Sequence, residues 1–162
     1  MKTQYIFPLL LFIPLLILQT TVIPLFALFN AVPDLILILL AFYAISYGQI
    51  YGTILGFVYG FLFDLITGSL LGSAMLSKTI AGFIAGYFSN ENKRDIYLRS
   101  YVFSFIVLLC AVVDSIVYSF FSTADLQRNF LLLFFEQGFL PGLYTAVISI
   151  IVVIFLPGRR FF

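Results

Sequence analysis

The 162-residue chain has no histidine, no tryptophan, one cysteine, and few charges: eight Lys and Arg and seven Asp and Glu, 9% in all. Each shortage excludes something. Without histidine, the commonest general base and the commonest metal ligand are missing. A rhomboid-like serine protease, which needs a serine–histidine dyad, is excluded with them. The lone Cys110 rules out an internal disulfide and a cysteine metal cluster. It stands one turn before Asp114 and reads as a small packed hydrophobe. A net charge of +1 supplies no basic field for nucleic acid. Soluble domains carry about 25% charged residues, so a chain at 9% is not built for water.

Apolar residues dominate instead. The chain is 63% hydrophobic with a mean hydropathy of +1.17. Its aromatics are all Tyr and Phe, which suits a lipid-facing surface and interfacial belts. About 20 apolar residues cross a bilayer, so residues 1–162 read as one all-α polytopic membrane domain. Six spans are expected, at about 5–28, 34–47, 50–66, 70–88, 101–121 and 130–156. The first apolar run is longer than a signal-peptide core and no A-x-A site closes it, so it reads as an uncleaved span. Pro8, Pro14 and Pro24 predict kinks or a broken start there. Pro33 and Asp34 open span two, where a carboxylate suits the helix N-terminus. A single helix over 34–66 would be about 50 Å long, too long for one crossing, so Gly48-Gln49 reads as a tight reversal. Pro141 lies inside span six.

Six spans put both termini on one side, together with Lys2, Lys93, Arg94, Arg99, Arg159 and Arg160. Only Arg128 falls on the other side, and Lys78 lies within span four. This asymmetry predicts cytoplasmic termini and a cytoplasmic 89–100 loop.

Glycines recur every four residues at Gly48, Gly52, Gly56 and Gly60, and Asp64 continues the rhythm before Gly68 and Gly72 at the next turn. Gly82 and Gly86 repeat the spacing on span four. Each glycine costs a helix interior up to about 1 kcal/mol, offset where small residues let backbones approach. The stripe therefore marks helix packing within the bundle or a docking face for another subunit; the spacing fits both. Four ionisable groups, Asp64, Lys78, Asp114 and Glu136, fall inside spans, where each is costly unless paired or hydrated. Lys78 and Asp114 have matched depths and are expected to pair; Asp64 either joins them or caps the Thr67-Gly68-Ser69 turn. A proton or ion site is the sharper reading of this polar cluster, with Glu136-Gln137-Gly138 as its helix break. Neither Asp64 nor Asp114 has the G-x-G-D setting of an intramembrane aspartyl protease. No catalytic residue, cofactor or metal ligand is assigned.

The run PDLILILLAFY, the spaced glycines leading into DLITGSLLG, and the acidic VVDS of span five resemble the bacterial rod shape-determining protein MreD family. The resemblance implies a non-enzymatic inner-membrane scaffold in the lateral cell-wall (peptidoglycan) elongation machinery. It implies binding to the bitopic partner MreC, and links to RodA, an elongation transpeptidase and, indirectly, the MreB filament. It also implies a fold similar to the substrate-binding component of energy-coupling-factor vitamin transporters, which makes a solute-binding subunit the alternative. Two points favour the scaffold. The outer loops are short, and PLLLFIPLLILQTTVIPLFALF lacks the A-x-x-x-A contact motif common on the first helix of those transporter subunits. The basic 89–100 loop is expected to meet anionic lipid or a cytoplasmic partner.

Overall fold

The computed structural model describes residues 3–26, 32–90, 94–99, 101–122 and 139–155. Among these, all regular structure is helical: α1 (Thr3–Thr21), a 3-10 turn (Ile23–Phe26), α2 (Leu35–Tyr47), α3 (Gln49–Thr67), α4 (Ser73–Tyr87), α5 (Arg94–Arg99), α6 (Tyr101–Ser122) and α7 (Leu140–Phe155). α1 runs through Pro8 and Pro14, and regular helix gives way only before Pro24. Near the break, the Thr20 and Thr21 hydroxyls donate back to carbonyls one turn earlier. Pro33 stands outside α2, and Asp34 is its N-cap.

α2 lies at the centre. Ile36, Leu37, Leu40, Ala41, Ala44 and Ile45 are all buried, facing several directions, so neighbours surround the helix. Phe12 and Leu16 of α1 and Ile106, Val107 and Cys110 of α6 complete this core. Tyr59 of α3 is fully buried, with its hydroxyl donating to the Pro8 carbonyl at 2.7 Å. Its ring stacks on Phe12 with centroids 4.5 Å apart. A buried phenol needs such a partner.

Among the described residues, three stretches are long and apolar enough to cross a membrane: Phe7–Leu25, Gln49–Thr67 and Tyr101–Phe121. Leu35–Tyr47 and Leu140–Val153 are apolar but shorter. Residues 130–138 of the sixth expected span lie outside the described residues. The 13 residues of α2 rise only about 20 Å, against a hydrocarbon core of about 30 Å. α4 has 15 residues and carries Lys78.

The glycines sort into two kinds. Gly48 adopts φ 99° between α2 and α3, and a Cβ there would meet nothing nearer than Ser89 Oγ at 4.0 Å. It is a turn residue, and its place in the packing stripe is corrected: its backbone conformation, not close approach, calls for glycine. Gly68 and Gly72 also have positive φ, with open space around them. Gly52, Gly56 and Gly60 instead press on α4. A Cβ on Gly52 would strike the Gly82 carbonyl, one on Gly56 the Lys78 carbonyl, and one on Gly60 the Ala74 carbonyl. A Cβ on Gly86 would strike Gln49. The two antiparallel helices thus mesh in matching four-residue steps, with Ala74 and Lys78 continuing the Gly82–Gly86 row.

Helix propensity alone favours alanine over glycine by up to about 1 kcal/mol. At Gly56 the obstacle is backbone, which cannot swing aside, and overpacking costs about 1–3 kcal/mol. Gly56→Ala is therefore expected to lower the melting temperature of the purified protein by several degrees. Gly68→Asn, at a left-handed position that asparagine tolerates, is expected to melt within about a degree of the parent. Equal melting of Gly56→Ala and the parent would refute the close backbone contact.

Candidate functional site

The site grows from the start of α2. The first backbone N–H groups of a helix lack intrahelical acceptors. Asp34 Oδ1 accepts from Leu37 N at 3.0 Å and from Gln19 Nε2 of α1 at 3.0 Å. Gln19 Oε1 in turn accepts from Ile36 N at 3.1 Å. The Asp34 N–H donates to Thr145 Oγ1 of α7 at 3.0 Å. One residue thereby caps α2 and ties α1 and α7 to it.

The second oxygen of Asp34 accepts from the Lys78 ammonium. Lys78 is 3% exposed, so its charge has almost no access to solvent and depends on protein partners. It also bonds Asp114 Oδ2 of α6 at 3.3 Å, and lies 5.6 Å from the centroid of the Phe63 ring of α3, within cation–π range. The expected pairing of Lys78 with Asp114 is thus present as one half of a three-membered set. Asp34 is the member that sequence reasoning missed. Its signal was available: an acidic residue opening span two stands at the same end of the bundle as Asp114. Counting only charges inside spans left it out.

Asp64 is not part of this set, which corrects its grouping with Lys78 and Asp114. Its carboxylate is consumed at the next turn. Oδ2 accepts from Gly72 N at 2.9 Å and Met75 N at 3.1 Å. Oδ1 accepts from Ser69 Oγ at 2.6 Å and Ala74 N at 3.2 Å. The cause is local: α4 begins after Gly72, which has no side chain to cap it, and Asp64 supplies the cap from the preceding helix.

Glu136, Lys93, Arg159 and Arg160 lie outside the described residues. So does the side chain of Arg99, though its backbone closes α5. Arg94 is placed at the opposite end of the bundle from Lys78, with its guanidinium 5.4 Å from the Tyr47 ring centroid.

Around the ion set lies a cavity of about 840 Å³. Asp34, Lys78 and Asp114 form one part of its wall, with Gln19, Thr145 and Tyr118 beside them. Ile66 and Thr67, at the end of α3 and both exposed, also line it. Formally the set holds two carboxylates against one ammonium. Asp114 Oδ1 is buried and accepts no hydrogen bond among the described residues. No group of three or more metal-ligating side chains occurs among the described residues.

A chain whose described regular structure is all helical, with three membrane-length apolar segments among the described residues and a charge set sealed among its helices, is a membrane protein. The family described as rod shape-determining protein MreD matches residues 1–157, and the chain belongs to that family. The family is part of the MreBCD cell-shape system and is a shape-determining family rather than a known enzyme family. No curated protein and no solved structure matches the chain significantly.

Removing one member of a buried ion pair costs about 3–5 kcal/mol because it strands the other charge. Lys78→Met strands two carboxylates and is expected to be the most destabilising single change in the set. Removing only Lys78 and Asp114 leaves Asp34 without its cation, so rescue by that pair is expected to be partial. The triple variant Asp34→Asn, Lys78→Met, Asp114→Asn is expected to recover most of the loss. Thermal unfolding in detergent checks this; losses that simply add across the three positions would show the groups to be uncoupled.

Proposed function

We propose that the chain is a non-enzymatic scaffold subunit of the cell-wall elongation complex in the bacterial cytoplasmic membrane. In this reading it crosses six times, with both termini and the 89–100 loop cytoplasmic, in a bundle like the substrate-binding component of energy-coupling-factor transporters. It docks MreC and connects the MreB cytoskeleton to RodA and the elongation transpeptidase.

The observation that carries the reading is how the charged groups are used. Lys78, Asp34 and Asp64 are spent in joining and capping helices. Family membership supplies the cell-shape context. The α3–α4 glycine faces are closed against each other, so they hold the bundle together rather than receive a partner. Docking then falls to faces the chain leaves uncovered. One is the row Ile50, Ile54, Phe57, Phe61 and Leu65 on α3, all exposed and spaced along one helix face. The basic segment around Lys93, Arg94 and Arg99 meets anionic lipid or a cytoplasmic partner.

The cavity beside Lys78 favours the second reading, a solute-binding subunit of a vitamin transporter. Purification of the tagged protein from native membranes in mild detergent, with mass spectrometry of what accompanies it, separates the two. Recovery of MreC and the elongation synthases is expected. Recovery of a transporter coupling subunit with cytoplasmic ATPases would overturn the scaffold.

A further inference from the structure

We propose that Arg94, set over the Tyr47 ring at the end of the bundle away from Lys78, seats the phosphate of an anionic lipid headgroup. The seat deepens the contact proposed for the basic segment, rests on that reading, and assigns it to lipid rather than to a cytoplasmic protein.

Depth argues first. Two of the membrane-length stretches, Gln49–Thr67 and Tyr101–Phe121, begin at this end of the bundle. Tyr47 stands just before the first of them, and the Arg94 guanidinium lies 5.4 Å from its ring centroid. The charge therefore sits at the level where hydrocarbon gives way to headgroups. The side chains around it suit that level. Tyr87 closes α4 and Tyr101 opens α6, and both are exposed, as is Ile96 on α5. Tyrosine rings gather at the membrane–water boundary because one end is apolar and the other wet.

Orientation argues next. Tyr97 and Leu98 pack against the core, while Ile96 points away from it and is exposed. Arg94 stands one turn before Tyr97 and Leu98 and shares their inward face, where it is half-buried. Among the described residues no carboxylate lies within ion-pair distance of it, and both ion pairs there involve Lys78. Contact with a ring engages the charge of a guanidinium but none of its five N–H donors. A half-buried guanidinium at headgroup depth, with its donors unengaged, fits a phosphate, which it grips through two parallel hydrogen bonds. A net-negative headgroup supplies the counter-charge with no ammonium of its own to compete, so anionic phospholipid is selected over zwitterionic.

The test uses the full chain, purified and exchanged into nanodiscs of phosphatidylglycerol and phosphatidylcholine in equal parts, then examined by native mass spectrometry for retained lipid. The parent is expected to retain phosphatidylglycerol over phosphatidylcholine. Arg94→Gln is expected to cut that preference about tenfold or more, as loss of hydrogen bonds to a charged group does. Lys93→Gln removes an equal charge one residue away and is expected to cut it no more than about fivefold, the effect of one basic residue near an anionic surface. Tyr47→Leu keeps every charge but removes the ring beneath the guanidinium. It is expected to lower the preference with the helical circular dichroism unchanged, and it carries the test if Arg94→Gln fails to fold. Equal retention of both lipids by the parent, or equal losses in Arg94→Gln and Lys93→Gln, would overturn the proposal. A parent without lipid preference whose melting temperature rises with inorganic phosphate in phosphatidylcholine alone would assign the arginine to a soluble anion and overturn it too. Undiminished lipid preference in Arg94→Gln, with loss of a cytoplasmic protein from its native-membrane purification, would assign the arginine to a protein partner instead. The lipid measurement uses purified protein alone, so its failure leaves the scaffold standing on recovery of MreC and the synthases.

Discussion

The fold depends on where the charge of Lys78 can go. An ammonium among apolar helices is tolerated only with carboxylates in contact, and those carboxylates must themselves be held. Asp34 is held by the helix it caps and by Gln19, and Asp114 by its place on α6. Through these contacts Lys78 gathers α1, α2, α4 and α6, Phe63 adds α3, and Thr145 adds α7 through the Asp34 backbone. Lipid gives apolar helices little reason to prefer one neighbour over another. A polar contact with a single geometry provides such a preference.

The glycine face and the ion set are one device. Gly56 lies against the Lys78 backbone itself, so α3 and α4 mesh at the level of the charge. Close approach of the two backbones fixes the height and rotation of Lys78 on α4. A larger residue at Gly56 would move the lysine as well as the helix. Asp64 works one turn further along, fastening the start of α4 to the end of α3 through four bonds of 3.2 Å or less. The hairpin is thus pinned at its turn by Asp64 and along its length by glycine.

Much of this was legible in the sequence. Apolar periods gave the helical class, Gly48 the reversal, and matched depths the Lys78–Asp114 contact. The part that was not legible has physical reasons. A carboxylate before a helix reads as a cap, and Asp34 is one, but each of its two oxygens can serve a different purpose. Asp64 shares the four-residue rhythm of the stripe, and spacing alone does not say whether a side chain turns toward the bundle or back over its own turn. Span number is a different matter. Composition marks a stretch as apolar, but a 13-residue helix such as α2 is apolar because its neighbours cover it.

Buried ion sets are poor stabilisers, because the attraction within them roughly repays the loss of hydration, and well-packed apolar residues often do as well. Their distinct property is intolerance of partial formation: any arrangement that omits one helix leaves a bare charge. In this chain that intolerance spans helices far apart in sequence, from Asp34 to Asp114, and arrangements lacking α6 leave Lys78 with one counter-ion. The set therefore acts on selection among arrangements more than on depth of stability. That suits a protein whose uncovered faces must be presented to partners in one fixed relation.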